Sequence, residues 1–268
     1  MRVSFSPTRK CRRAAWRRSA EVASVVWLLL LGGCATPGPM HVFLAGAGSS
    51  PIHDLTVTGA EAPAEILTGF VGLGESVVGV AYDFNTDYVW LRVLPWNQLR
   101  VINRPANRME ANYAFGPTLW DLNASLDLAT CSSDLHVFAV ADSGDRIVEL
   151  SRRAVRLREI TVGAGGRRIG GLAFDQRDDL LLVLWADGSG DVALADRQGK
   201  VVGSVRLSGT INPQSLGFDS DQRTFFVPLA ENGKMGVFNL NGDLTRVIEV
   251  PAGRWAIDAG PRSLVRVF

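Results

Sequence analysis

The chain has little of what catalytic proteins advertise. It holds three histidines, His41, His53 and His136, and no two stand at metal-ligand spacing. A zinc centre built on several histidines is therefore excluded. The P-loop, the EF-hand loop and the Rossmann glycine pattern are all missing. Gly163-Ala164-Gly165-Gly166 is rich in glycine, but no strand-to-helix setting surrounds it, so it is not a phosphate cradle. Ser49-Ser50 and Ser132-Ser133 lack the setting of a nucleophile elbow. No Cys-x-x-Cys-His occurs, so covalently attached haem is not expected. Past residue 33 there is no apolar run of about 18 residues and no stretch of helical periodicity. No cofactor is expected.

What is present begins at the N-terminus. Residues 1–20 carry Arg2, Arg9, Lys10, Arg12, Arg13, Arg17 and Arg18 and no acid. Residues 22–31 are apolar. At about 1.5 Å per residue that run is too short to cross a bilayer core of about 30 Å. A basic segment followed by a short apolar one is a secretory signal. Its end, Leu31-Gly32-Gly33-Cys34, resembles the lipobox of bacterial lipoproteins. The resemblance implies a signal peptide over residues 1–33, cleavage before Cys34, and lipid on the Cys34 thiol and on the new N-terminus. Two or more acyl chains hold a protein on a membrane where one would be marginal. Ala35, in place of an Asp, resembles the class sent on to the outer membrane. The implied location is the cell envelope, lipid-anchored and facing the periplasm.

Cleavage takes seven of the 28 basic residues and one of the 27 acids, leaving 21 against 26, a charge of about −5. A mildly acidic body lacks the basic patches that nucleic acid requires. With Cys11 removed and Cys34 acylated, Cys131 is alone, so no intrachain disulfide can form. It reads as a buried small hydrophobe. His136, near it in sequence, reads as a strand position.

From Val77 onward the chain repeats. Gly79-Val80-Ala81-Tyr82-Asp83 precedes Asp87-Tyr88-Val89-Trp90-Leu91. Gly171-Leu172-Ala173-Phe174-Asp175 precedes Asp179-Leu180-Leu181-Leu182-Val183. Ser215-Leu216-Gly217-Phe218-Asp219 precedes Thr224-Phe225-Phe226-Val227. A weaker copy ends at Thr130, and a half-copy ends at Asp258. Landmarks at Asp83, Thr130, Asp175, Asp219 and Asp258 give a period near 40–45 residues, which predicts propeller blades of four strands. In the third copy the strands are expected at 171–174, 180–185, 191–194 and 201–207. Asn241-Gly242 marks a hairpin whose two central residues take positive φ. Pro228 is expected at the end of a second strand. The pattern resembles NHL and YVTN propeller repeats across residues 40–268. That resemblance implies a fold and no single role.

The fold class is therefore all-β, a propeller over residues 41–268 after a lipidated tether at 34–40. About 45 residues per blade predict five blades, with six smaller ones as the alternative. Residues 41–46, 53–58 and 64–67 would give the second, third and fourth strands of a shared blade. Residues 255–258 would supply its inner strand. Such closure pairs the two ends of the chain and removes free edges. Residues 263–268 also read as a second strand and compete with 41–46.

The repeated Asp83, Asp175, Asp219 and Asp258 read as turn formers whose carboxylates bind backbone N–H groups two residues on. Trp90 and Trp185 read as inter-blade packing, and Trp96 and Trp120 as exposed loop aromatics. Residues seven before the landmarks, Ser76, Asn123, Arg168 and Asn212, form a candidate ligand-binding rim at one channel mouth, with Glu75 and Arg254 adding charge. The expected function is a non-catalytic platform for an envelope protein or glycan. The alternative is a metal-dependent propeller lactonase or esterase, which needs three or four Asp, Glu or Asn side chains converging on the axis.

Overall fold

A computed structural model describes residues 37–46, 52–60 and 67–263. Cys34 and the signal peptide lie outside the described residues. The described chain is a five-bladed β-propeller within one compact unit spanning residues 35–266. Its strands begin with β1 (Pro37–Ala45) and β2 (His53–Thr56). The first full blade follows as β3 (Ser76–Asp83), β4 (Tyr88–Leu94), β5 (Gln98–Asn103) and β6 (Arg108–Ala114). The second is β7 (Leu128–Cys131), β8 (His136–Val140), β9 (Ile147–Leu150) and β10 (Arg156–Ile160). The third is β11 (Ile169–Asp175), β12 (Leu180–Trp185), β13 (Asp191–Ala195) and β14 (Val201–Arg206). The fourth is β15 (Gly217–Asp219), β16 (Thr224–Pro228), β17 (Lys234–Phe238) and β18 (Leu244–Glu249). The chain returns in β19 (Ala256–Ser263).

Four blades are four-stranded antiparallel meanders, the closing one is antiparallel in the order β19-β1-β2, and β3, β7, β11, β15 and β19 line the axis. Burial follows position. Strand β12 is buried from Leu181 to Trp185, since a second strand is covered by blades on both faces. Fully burying each such side chain is worth about 1.5–3 kcal/mol. The outer strands β6 and β14 are largely exposed.

Closure joins the two ends of the chain. Strand β1 pairs with β19 from Pro37↔Ser263 to Ala45↔Ala256, and with β2 on its other side. Leu67 bridges Ile52 in the place of a fourth strand. The terminal half-copy differs from expectation here. Its inner strand runs on through Asp258 to Ser263, so Ser263 is inner-strand backbone and not the start of a competing second strand. Residues 264–268 lie outside the described residues. The six-blade alternative falls with this. Strand β1 also opens at Pro37, inside the segment read as tether.

The turn between first and second strands is the same in four blades. The registers Asp83↔Tyr88, Cys131↔His136, Asp175↔Leu180 and Asp219↔Thr224 are equivalent. Cys131, not Thr130, is thus the second blade's landmark. The last turn residue takes a left-handed φ each time: Asp87 57°, Leu135 63°, Asp179 59° and Arg223 59°. The Asn241-Gly242 turn exists, but only Gly242 has a positive φ, 84°. The Asn239 side chain accepts hydrogen bonds from the N–H groups of Asn241 and Asp243 and holds a longer loop. Pro228 ends β16 as expected.

Candidate functional site

The inner strands all run the same way along the axis. The propeller therefore has a leading mouth, where they begin, and a trailing mouth, where they end.

All six residues of the expected rim precede or open an inner strand and so belong to the leading mouth. Among the described residues no hydrogen bond or ion pair joins any two of them. Glu75 is held by Arg100 at 2.6 and 2.7 Å and by the N–H of Gly72 at 2.6 Å. Arg100 holds its carboxyl below the usual range against some desolvation. Ser76 is buried in β3. Asn123 and Arg168 are exposed. Asn212 borders a cavity of about 150 Å³ between the fourth and closing blades. Arg254 reaches back to Ser125 Oγ at 3.2 Å, and burial lowers its pKa against the pull of Asp121. Trp96 and Trp120 lie in loops on this side, 52% and 75% exposed, edge to face with ring centroids 6.3 Å apart. Trp90 and Trp185 are buried between blades, as read.

Midway along the axis stands a residue that the repeat did not single out. Asp127 is fully buried, and its Oδ2 accepts three hydrogen bonds. They come from the N–H of Leu172 at 3.0 Å, the N–H of Leu216 at 3.0 Å and the Ser215 hydroxyl at 2.9 Å. Ser215 Oγ in turn accepts from the Ile257 N–H at 2.8 Å. One carboxyl thus ties together the second, third and fourth blades and, through Ser215, the closing blade. Burial pushes its pKa well above the usual carboxylate range despite those donors. Its Oδ1 has no partner among the described residues.

The larger cavity, about 310 Å³, opens at the trailing mouth. All five blades build it from the residues at and just after the ends of their inner strands. Tyr82, Thr130, Phe174, Phe218 and Asp258 are buried walls, and Asn85, Ser133, Gln176 and Asp221 form an exposed rim. The rim is locked from blade to blade. Asn85 Nδ2 donates to the Ser132 carbonyl at 2.5 Å, the Ser132 N–H to Gln176 Oε1 at 3.0 Å, and the Gln176 N–H to Ser220 Oγ at 2.9 Å.

Three landmark carboxylates do what turn chemistry asks. Asp83 accepts from the N–H of Asn85, Asp175 from those of Arg177 and Asp178, and Asp219 from those of Asp221 and Gln222. Asp258 departs from the set. It sits mid-strand opposite Phe43, with no turn after it, and its Oδ2 accepts the Tyr82 N–H of the next blade at 2.6 Å. Desolvation pushes its pKa up to about 7, with the N–H groups of Tyr82 and Ala259 only partly opposing.

Cys131 is buried, as read. His136 is not its base, since His136 Nδ1 lies 2.7 Å from Glu149 Oε1. The thiol lies 3.1 Å from Ser133 Oγ and takes a hydrogen bond from Arg197 at 3.0 Å, and burial raises its pKa. Gly163, Gly165 and Gly166 take left-handed φ values of 61°, 76° and 79° in a turn between blades. Ser49-Ser50 lie outside the described residues. Among the described residues no group of three or more His, Cys, Asp and Glu is placed to hold a metal, and no helix is long and apolar enough to cross a membrane.

No family model and no curated protein sequence matches the chain. Solved structures do. A chain of a nidogen/laminin complex is 12% identical with a TM-score of 0.56, covering 85% of this chain and all of that one. Glutaminyl cyclase of Myxococcus xanthus is 13% identical with a TM-score of 0.50, covering 65% of this chain and 70% of its own. A protein of unknown function from Bacteroides caccae is 19% identical with a TM-score of 0.49, covering 79% and 73%. At these identities the likeness to the first two shows the fold alone.

Proposed function

We propose that the protein is an envelope lipoprotein whose propeller is a binding platform, held on the membrane by lipid on Cys34 and receiving a small ligand at the trailing mouth. The observation that carries this reading is the 310 Å³ cavity, which every blade contributes to and which combines buried rings with polar side chains. It stands at the small end of ligand pockets, about 300–1,000 Å³. A compact metabolite fits that volume. Asp258, Asp221 and Asn85 line it, but Asp258 is a buried wall while Asp221 and Asn85 stand on the exposed rim. Among the described residues no group of three or more His, Cys, Asp and Glu is placed to hold the metal that the hydrolase alternative asks for.

Ser133→Trp places an indole at the exposed rim. Full-length protein dialysed against a small-molecule extract of the envelope should retain a compound that this variant releases. Equal retention by both proteins, or none by either, would overturn the reading. Turnover of a chromogenic ester that Asp258→Asn abolishes would favour the hydrolase instead.

The leading mouth supports a second contact, with a protein or glycan. The exposed Trp96–Trp120 pair favours it, because large aromatics left in water commonly mark recognition sites. Arg168 and Asn123 stand exposed on the same side. Trp120→Ala should release such a partner while leaving the trailing cavity filled.

A further inference from the structure

We infer that the trailing-mouth cavity binds a small organic amine, with its ammonium group against the carboxyl of Asp258 and its apolar part against the ring walls. This rests on the cavity being a ligand site, and it adds the class of ligand.

Charge is the first argument. Among the described residues the lining includes two carboxylates, Asp258 and Asp221, and no lysine, arginine or histidine. The basic groups behind its walls are already matched. Arg197 lies 5.2 Å from the Phe174 ring centroid and is paired with Asp134 and Asp179. Arg223 lies 5.5 Å from the Phe218 ring centroid and is paired with Asp175 and Asp178. An anion would meet uncompensated carboxylates here, and a cation would find charge to pair with.

Geometry is the second. Asp258 is 8% exposed and lines the cavity. Oδ2 takes the Tyr82 N–H, yet among the described residues no cation pairs with the group to compensate a charge. A buried ion without a counter-ion is costly, and a bound ammonium removes that cost. The rings serve as an apolar wall rather than as a cage for the cation. Phe174 already stacks on Phe138 at 5.3 Å with Arg197 near it, and Phe218 packs against Phe225. Recognition therefore falls to N–H donors on the ligand, which favours a primary amine over a quaternary one.

Proton linkage follows. Asp258 titrates at about 7 without ligand, so amine binding below that pH must expel a proton. Among the described residues the titratable groups on elements packed against β19 are His41 on β1 with Asp54 on β2, Tyr82 and Asp83 on β3 with Asp87, and Asp219 on β15 with Asp221 just after it. His41 and Asp54 pair with one another, and Tyr82 donates to Asp87, which pairs with Arg104.

The experiment is calorimetric titration of the full-length, detergent-extracted protein with phenethylamine, 2-phenylethanol and 3-phenylpropanoate. The amine should bind at least tenfold more tightly than either analogue, and more tightly than benzyltrimethylammonium. Repeating the titration in buffers of different ionisation enthalpy should show release of about 0.9 proton per amine at pH 6 and about 0.1 at pH 8. Asp258→Asn should bring the amine down to the level of the alcohol. Proton counting on the wild type needs no variant, so misfolding of Asp258→Asn leaves the test intact. Equal binding of alcohol or anion, no proton release at pH 6, or no binding of any probe would overturn the inference. If the alcohol or anion binds and Ser133→Trp blocks it, the cavity remains a ligand site and only the amine assignment fails. Competition by vesicles of phosphatidylethanolamine would assign the amine to a lipid headgroup, and lack of competition to a soluble molecule.

Discussion

Replacing Asp127 by alanine should be among the most damaging changes in the propeller, and replacing it by asparagine among the mildest at so buried a site. Alanine removes the acceptor for Leu172 N–H, Leu216 N–H and Ser215 Oγ at once. Ser215 keeps its contacts with Ile257, so two backbone donors are left buried and unpaired. At about 1–3 kcal/mol for each orphaned group, the cost is about 2–6 kcal/mol. Asparagine keeps one oxygen facing the three donors. Its amide then occupies the place of Oδ1, which has no partner among the described residues and where a protonated carboxyl would carry its hydrogen. The cost should stay within about 1 kcal/mol at pH 5. Because burial raises the pKa of Asp127, the folded protein binds a proton that the unfolded chain gives up. Stability in the wild type is therefore lost as pH rises through the raised pKa, and the Asp127→Asn protein should lose less. Urea denaturation followed by tryptophan fluorescence at pH 5 and pH 8 measures all three proteins. A loss below 1 kcal/mol for alanine, or equal losses for alanine and asparagine, would refute the hub.

Asp258 adds a pH dependence of its own. With a folded pKa of about 7 against about 3.9 unfolded, its contribution is complete below pH 4 and falls by about 4 kcal/mol as pH rises through 7. Ligand-free Asp258→Asn should flatten that part of the stability profile, and identical profiles for both proteins would count against the assignment. Labelled palmitate should appear in the wild type and vanish in Cys34→Ala; label persisting in the variant would dismiss the lipid anchor. Deleting residues 255–268 removes β19, bares the edge of β1 and uncovers the β3 and β15 strands packed against it, so the protein should aggregate or lose its cooperative melt. A truncated form as stable as the full chain would show that terminal pairing does not hold the ring.

The blade was legible because its inner strand, its four-residue turn and its buried second strand each leave a separate mark. Gly-Leu-Ala-Phe-Asp carries the first, the Asx-type carboxylate the second, and an unbroken apolar run the third. Legibility failed where one mark was absent. The second blade has Cys131 at the landmark, so the nearest polar residue, Thr130, stands in for it and the register slips by one. The closing blade has no turn after its inner strand, because the second strand arrives from the other end of the chain. Asp258 therefore resembles a turn aspartate although nothing turns there. The trailing cavity did leave a trace, a polar residue within two positions of each landmark: Asn85, Ser132, Gln176 and Ser220. That trace reads equally as turn composition until the ring closes and points the four at one axis. Asp127 left no trace, since its donors come from strands 45 and 89 residues away.

The direction of β1 has a consequence for how the molecule would sit on a surface. Pro37 pairs with Ser263, at the end where the inner strands finish. Three peptide steps from Cys34 to Pro37 reach about 10 Å at full stretch. If the lipid is on Cys34, the leash is at most about 10 Å long, and it leaves from the trailing side, where Pro37 lies. The propeller would then lie mouth-down. The acidic cavity would open into the thin water layer above the headgroups, reached sideways, while Trp96 and Trp120 look outward into open solvent. Lengthening the leash by a dozen glycine and serine residues would free the molecule to tumble. It would leave every contact inside the fold unchanged and alter only what each mouth can meet.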